Sequence, residues 1–163
     1  MLRAVPDGWF SYDFTVFDRS GTLVARVDLS NWREAAKLEV EGKRYEAHRK
    51  GWRSKEYILE KEDGRVVAVA EKPSAWKDRF VFEHGGNRYE LKKESAWRSG
   101  FVLSRGGVGL VGSVRRRGFF NREWTVDVPE ELPLEVRVFV VWLVIILWKR
   151  EDSAAGAAST AGG

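Results

Sequence analysis

The side chains best able to do chemistry are few and scattered in this sequence. His48 and His84 are not at metal-ligand spacing. His48 shares a polar face with Arg44 and Glu46, which reads as a solvated surface imidazole. His84 adjoins the turn Gly85-Gly86-Asn87. Asp28, Asp63, Asp78 and Asp127 are dispersed among turns and strand faces, and nothing pairs two of them for general acid–base work. Gly106-Gly107-Val108-Gly109 lacks the Lys-Ser/Thr ending of a phosphate loop and reads as a turn. With no cysteine there is no thiol nucleophile, no cysteine-ligated zinc and no disulfide. No catalytic residue, metal site or cofactor is assigned, and the expectation is a protein that is not an enzyme.

One charge feature rises above the background. From Ser95 to Arg122 there is no Asp or Glu, and the stretch carries Arg98, Arg105, Arg115, Arg116, Arg117 and Arg122. The run Arg115-Arg116-Arg117 leads into Gly118-Phe119-Phe120. Arginine engages phosphate by bidentate hydrogen bonds, and phenylalanine enters a membrane interface. These six arginines are the candidate site for anionic phospholipid headgroups. The bland alternative is a solvated strand end. Trp9, Trp32, Trp52, Trp76, Trp97 and Trp124 recur near strand ends, where large amphipathic rings would cover the ends of a barrel. Trp76 matches Phe120 in the internal repeat described below, which favours packing of both.

The elements that must position these residues follow from composition and periodicity. The chain has 163 residues, 28 Lys+Arg against 24 Asp+Glu, and a net charge of +4, which suits one domain and permits anionic partners. Apolar residues at 44% exclude a largely disordered chain. Alternation dominates as far as residue 128: Phe10, Tyr12, Phe14 and Val16 are interleaved with polar residues, as are Leu38 and Val40, then Tyr45 and Ala47. Short strands with Gly-containing turns indicate an all-β barrel or sandwich.

The strands repeat. Arg44-Tyr45-Glu46 returns at 88–90, Trp52-Arg53-Ser54 at 97–99, and Tyr57-Ile58-Leu59 as Phe101-Val102-Leu103, at offsets of 44 or 45. The first hairpin matches at an offset of 43. Matched strands carry Leu23/Ala25/Val27, Val66/Ala68/Ala70 and Leu110/Gly112/Val114 on one face, taken as inward, with a small residue in the middle. Small inward residues let something bulky approach the sheet. The count reaches eleven strands, with a short front unit and a twelfth unassigned.

The occupant is the apolar run Val138–Trp148, eleven residues long. That is too short to cross a bilayer, which takes about 20 residues. A helix apolar on every side must be surrounded. We expect it over about residues 132–150, with Phe139 to Leu147 sheathed by the sheet. Residues 1–8 read as a lead, 9–150 as the barrel domain, and 151–163 as a disordered Ala/Gly/Ser tail. No stretch of the N-terminus reads as a secretory signal.

The hairpin FTVFDRSGTLVARV, the repeated RYE and WRS strands, the ending NREWTVDVP and the segment LPLEVRVFVVWLVIILW together resemble the tubby C-terminal-like fold. The resemblance is to the LURP-one-related family and its phospholipid scramblase relatives. It implies a closed twelve-stranded antiparallel barrel around a central hydrophobic C-terminal α-helix. It also favours a phosphoinositide-like partner held by basic residues on the barrel. The acidic calcium-binding segment expected of scramblases is not evident: Asp127, Glu130, Glu131 and Glu135 lack an alternating loop pattern.

Three functions follow as expectations. The first is a cytoplasmic domain, peripheral to the inner face of a membrane, that binds anionic phospholipid. The second is a scaffold or protein-interaction module with no lipid role. The third is a scramblase-like or tail-anchored membrane protein. Nucleic acid is disfavoured as a partner because six arginines spread over the stretch come with no recognition motif.

Overall fold

A computed structural model describes residues 1–8, 11–30, 33–95, 98–117 and 122–161, excluding the side chains of residues 98, 99, 160 and 161. Twelve strands close into one antiparallel barrel. They are β1 (Leu2–Pro6), β2 (Phe14–Phe17), β3 (Leu23–Leu29), β4 (Ala35–Val40), β5 (Lys43–Arg49) and β6 (Glu56–Lys61). The circuit continues with β7 (Val66–Glu71), β8 (Arg79–His84), β9 (Asn87–Ser95), β10 (Arg98–Arg105), β11 (Gly109–Arg116) and β12 (Trp124–Asp127). Each strand pairs with its neighbour in sequence, and β1 closes the circuit on β12 through Leu2↔Val126, Arg3↔Thr125 and Ala4↔Trp124.

The missing twelfth strand is therefore β1, inside the segment expected to be only a lead. Its alternation is short but real: Leu2 and Ala4 are buried and Arg3 between them is exposed. Closure pairs the first strand with the last, so neither end of the strand series is left as a free outer strand.

Helix α1 (Leu134–Ala161) runs up the barrel axis. Every residue from Val138 to Leu147 is buried, as expected for a helix with no polar face. The carbonyl of Pro133 starts the helix by accepting from the amides of Val136 and Arg137 at 3.0 Å. No helix among the described residues is long and apolar enough to cross a membrane. The strands of the barrel cover the apolar run.

The tail also differs from expectation. Residues 151–161 continue the helix instead of forming disordered chain. Helix nucleation is the costly step, and it is complete inside the barrel; each added alanine then needs only favourable propagation.

The inward-facing triplets are corrected by one residue. Ala25, Val27, Ala68, Ala70 and Val114 are buried, but Leu23, Val66 and Leu110 are exposed. The register shifts at Val16/Phe17, Leu59/Glu60 and Leu103/Ser104, the matching place in three hairpins. Each shift leaves one unpaired residue, Val24, Val67 or Val111, which packs against the core. An extra residue in one strand reverses the alternation beyond it. The internal repeat thus extends to the bulge.

Candidate functional site

The two ends of the barrel differ in chemistry. The lower end, where the chain enters to form α1, is closed by tight turns such as Asp18–Thr22, Glu41-Gly42, Glu62–Arg65 and Gly85-Gly86. These turns and the 128–133 connection contain no aromatic residue, and acids outnumber bases. The upper end, where α1 leaves, carries the connections after β1, β3, β5, β7, β9 and β11. Its described loops present Trp52, Trp76, Arg53, Lys55, Lys77 and Arg117, all exposed. Trp9, Trp32, Trp97, Phe119 and Phe120 lie outside the described residues.

Two tryptophans stand out into solvent on the loops of the upper end. Trp76 is 95% exposed and Trp52 is 78% exposed. The expectation that they cover the barrel end fails for both, as does the packing argument from the repeat match of Trp76 with Phe120. Trp124, by contrast, is buried.

The loop that presents Trp76 is built around Lys72, which is only 4% exposed. Its ammonium donates to the carbonyls of Ser74, Ala75 and Lys77 at 3.0, 3.1 and 3.1 Å. The amide of Trp76 donates to Ser74 Oγ at 3.2 Å. A buried ammonium needs such partners to offset lost hydration. The 50–55 loop is tied down by Arg49 Nε, which donates to the Ser54 carbonyl at 2.6 Å. Arg53 lies 4.3 Å over the ring of Trp52, so a cation and an exposed aromatic are presented together.

Beneath this rim a polar clamp holds the departing helix. Arg150 Nε and Nη2 reach Glu34 Oε1 at 2.7 and 2.6 Å. Tyr57 OH donates to Glu34 Oε2 at 2.9 Å and accepts from Arg150 Nη2 at 2.6 Å. Arg49 Nη1 adds a contact to Glu34 at 3.4 Å. The Tyr57 ring is in the core against Phe80 and Trp142, so one side chain links core and rim. On the far side of the helix, Lys93 pairs with Glu151 at 2.6 Å. Replacing Glu34 by alanine is expected to destabilise the fold by about 1–2 kcal/mol, less than a fully buried pair because these groups keep partial solvent contact. Urea denaturation measures this.

Burial, then the nearby Glu34 carboxylate, pushes the Tyr57 phenol well above its ordinary 10.0. The folded state therefore holds this proton to higher pH than the unfolded chain. Its contribution is whole below pH 10.0 and is lost as pH rises beyond it. Burial, then the Arg150 charge, lowers the Lys72 ammonium below 10.5, which acts in the opposite sense just under that value. In urea melts, Tyr57→Phe is expected to be less stable than wild type by about 1 kcal/mol near neutral pH. The gap should narrow steadily above pH 10.0.

The six arginines singled out in the sequence do not form one patch. Arg105 is at the lower end and pairs with Glu131 at 3.0 Å. Arg115 is on the outer wall, paired with Glu94 at 3.0 Å. Arg116 and Arg122 reach the upper end, where their guanidinium carbons lie 5.4 and 5.5 Å over Trp148. Tyr12 meets Trp148 edge-on and is also faced by Arg122 and by Lys149 at 4.4 Å. Arg117 is exposed at the same end. The side chain of Arg98, which belongs to the first residue of β10, lies outside the described residues. Two reasons separate them: neighbours along a strand point to opposite faces, and a hairpin's turn is a full strand length from its ends.

The residues missed at this end are Arg53, Lys55, Lys77, Lys149 and Arg150. A usable signal existed, because connections two strands apart must share an end of an antiparallel barrel. That alone joins the Trp52 and Trp76 loops.

His48 lies on the outer wall, half-buried, with Nε2 3.3 Å from Glu60. Among the described residues no His, Asp and Glu cluster could hold a metal ion.

No family model matches the chain, and no curated protein matches it. Its fold is similar to that of an X-ray structure of a protein from Arabidopsis thaliana, with a TM-score of 0.57 and 14% identity. The match covers 92% of this chain and 90% of that one. The likeness is one of fold.

Proposed function

We propose that this chain is a non-enzymatic domain that docks the upper end of its barrel on an anionic phospholipid surface. The observation that carries the reading is the pair of solvent-exposed tryptophans, Trp52 and Trp76, on hydrogen-bonded loops that also present Arg53, Lys55 and Lys77. Tryptophan favours the headgroup region, where its ring meets apolar chain and its N–H meets water. Each Lys or Arg near an anionic leaflet adds about 1 kcal/mol. The resemblance to tubby-like and LURP-one-related domains supports the same partner class, although the site argued here is the loop rim and not the six arginines together. A cytoplasmic, peripheral location accords with this reading.

The test is sedimentation with phosphatidylserine-containing vesicles against pure phosphatidylcholine vesicles. The full chain is expected to sediment with the first only, and less as salt rises. Arg53→Ala and Lys77→Ala should each weaken binding about fivefold, the equivalent of about 1 kcal/mol. Arg115→Ala, on the wall and paired with Glu94, should leave it unchanged. Equal recovery from both vesicle types, or full binding by a Trp52→Ala/Trp76→Ala variant, would overturn the reading. A protein-interaction module with no lipid role predicts no sedimentation with either.

A further inference from the structure

One seam of the barrel is nearly unpaired. β7 and β8 share only Ala70↔Phe82 and Glu71↔Val81. The internal repeat provides the comparison. The equivalent strand β3 pairs with β4 from Ala25 through Leu29, and the carbonyl of Val24 also accepts from Glu41 N at 3.0 Å. The equivalent β11 pairs with β12 over four residues, and there the chain turns inward beside Gly112. In β7 neither solution is used. Residues Val66–Val69 have no strand partner on the β8 side, and neither do Glu83 and His84 of β8 on the β7 side.

The two edges diverge around a groove of about 540 Å³ lined by Val66, Val67, Val69, Pro73, Glu83 and Arg88. Val66 and Val69 are 57% and 38% exposed. Alternate residues of the unpaired stretch direct their N–H and C=O into the groove. An uncovered edge with β-branched side chains is a template for another strand. The lining holds three acids and one base: Glu56 pairs with Lys50 at 2.8 Å, Arg88 is the cross-strand neighbour of Glu83, and Glu71 and Glu83 make no ion pair among the described residues. The groove therefore favours basic over acidic side chains.

We infer that the β7 edge is a docking site for an extended peptide of a partner protein, one that alternates apolar β-branched residues with lysine or arginine. The peptide adds as a strand against Val66–Val69, a stretch of about 13 Å. Main-chain hydrogen bonds supply affinity, and alternate side chains meet the valines and the two glutamates. This site is on the wall, away from the loop rim, so it stands or falls independently of vesicle binding.

The test is amide hydrogen exchange on the full chain, with short capped peptides as probes. One alternates valine and lysine, the other valine and glutamate. The lysine peptide is expected to slow exchange across β7 about tenfold at saturation. The glutamate peptide should bind at least about tenfold more weakly, and Glu71→Lys/Glu83→Lys should reverse the preference. Both substitutions are on the surface, so the fold is retained. Three results would overturn the inference: no change in β7 exchange with either peptide, equal binding of both, or β7 amides already protected in a dimer without peptide, which would assign the edge to a second copy of the chain.

Discussion

Replacing Trp142 by alanine is expected to cost about 4 kcal/mol of folding stability, the largest single-residue effect in this protein. Trp142 is fully buried in the middle of the enclosed part of the helix, stacked on Phe139 at 5.7 Å and facing Tyr57 at 6.0 Å. Strands surround it on every side, so the surroundings cannot collapse into the space left behind. Truncation removes both the transfer free energy of the indole and its packing partners, and the cavity term is near its maximum. Thermal denaturation should show a fall in midpoint of about 10 °C in one cooperative transition. Phenylalanine is the informative control. The indole N–H of Trp142 is buried without a hydrogen-bond partner. Trp142→Phe removes that orphaned donor while keeping most of the apolar bulk, so its loss should be only about 1 kcal/mol. A Phe variant as damaged as the Ala variant would show that the N–H is satisfied in solution, by a trapped water for example.

Gly112→Ala is expected to destabilise by about 3 kcal/mol, far beyond an ordinary Gly→Ala exchange in a strand. A Cβ at this position would collide with the carbonyl oxygen of Asp127 and stand 3.2 Å from Cα of Val128. Both are backbone atoms of the segment that leaves β12 and carries the chain into the barrel. Neither can move aside as a flexible side chain would. Relief requires the whole 127–133 connection to shift, and Val128 and Leu132 in that connection are buried at the lower end. Gly156→Ala, in open space on the exposed end of the helix, is the matching control and should be neutral or slightly stabilising. Urea denaturation of the two variants separates backbone crowding from glycine flexibility.

The small residue at position 112 shows how far the sequence could be read. A small inward residue at matched places in three strands indicated close approach, and the approach at Gly112 is real. Its partner is different: the connection's backbone crowds Gly112, whereas the helix had been expected there. Periodicity reports that a position faces inward and is small; it does not report which distant segment fills the space. Similarly, alternation placed β3 to β5 and the repeat placed β6, β7 and β9 to β11, but the strand expected from Phe10 begins at Phe14, β8 was not singled out, and one bulge per hairpin moved Leu23, Val66 and Leu110 to the outside. The bulge depends on the pairing of two strands, and neither strand shows it alone. β1 was missed because five residues hold too few periods to stand out.

The functional end was less legible for a related reason. The acid-free stretch from Ser95 to Arg122 is contiguous in sequence, but its arginines go to the lower turn, the wall and the upper rim. Conversely, Arg53 and Lys77 are far apart along the chain and share one end of the barrel. Charge along a sequence indicates composition, and charge at a surface depends on which loops converge.

Short-range order was already written in the chain: the period-two strands, the 44-residue repeat and an apolar run too short for a bilayer pointed to an all-β domain with its own helix as the filling. These properties depend on neighbours along the backbone and on the cost of leaving apolar surface in water. Closure by β1, the poorly paired β7–β8 seam and the exposure of Trp52 and Trp76 beside the basic side chains of one rim came only with the tertiary structure. Each is a relation between residues remote in sequence, set by strand register and barrel closure, and no local pattern of side chains encodes it.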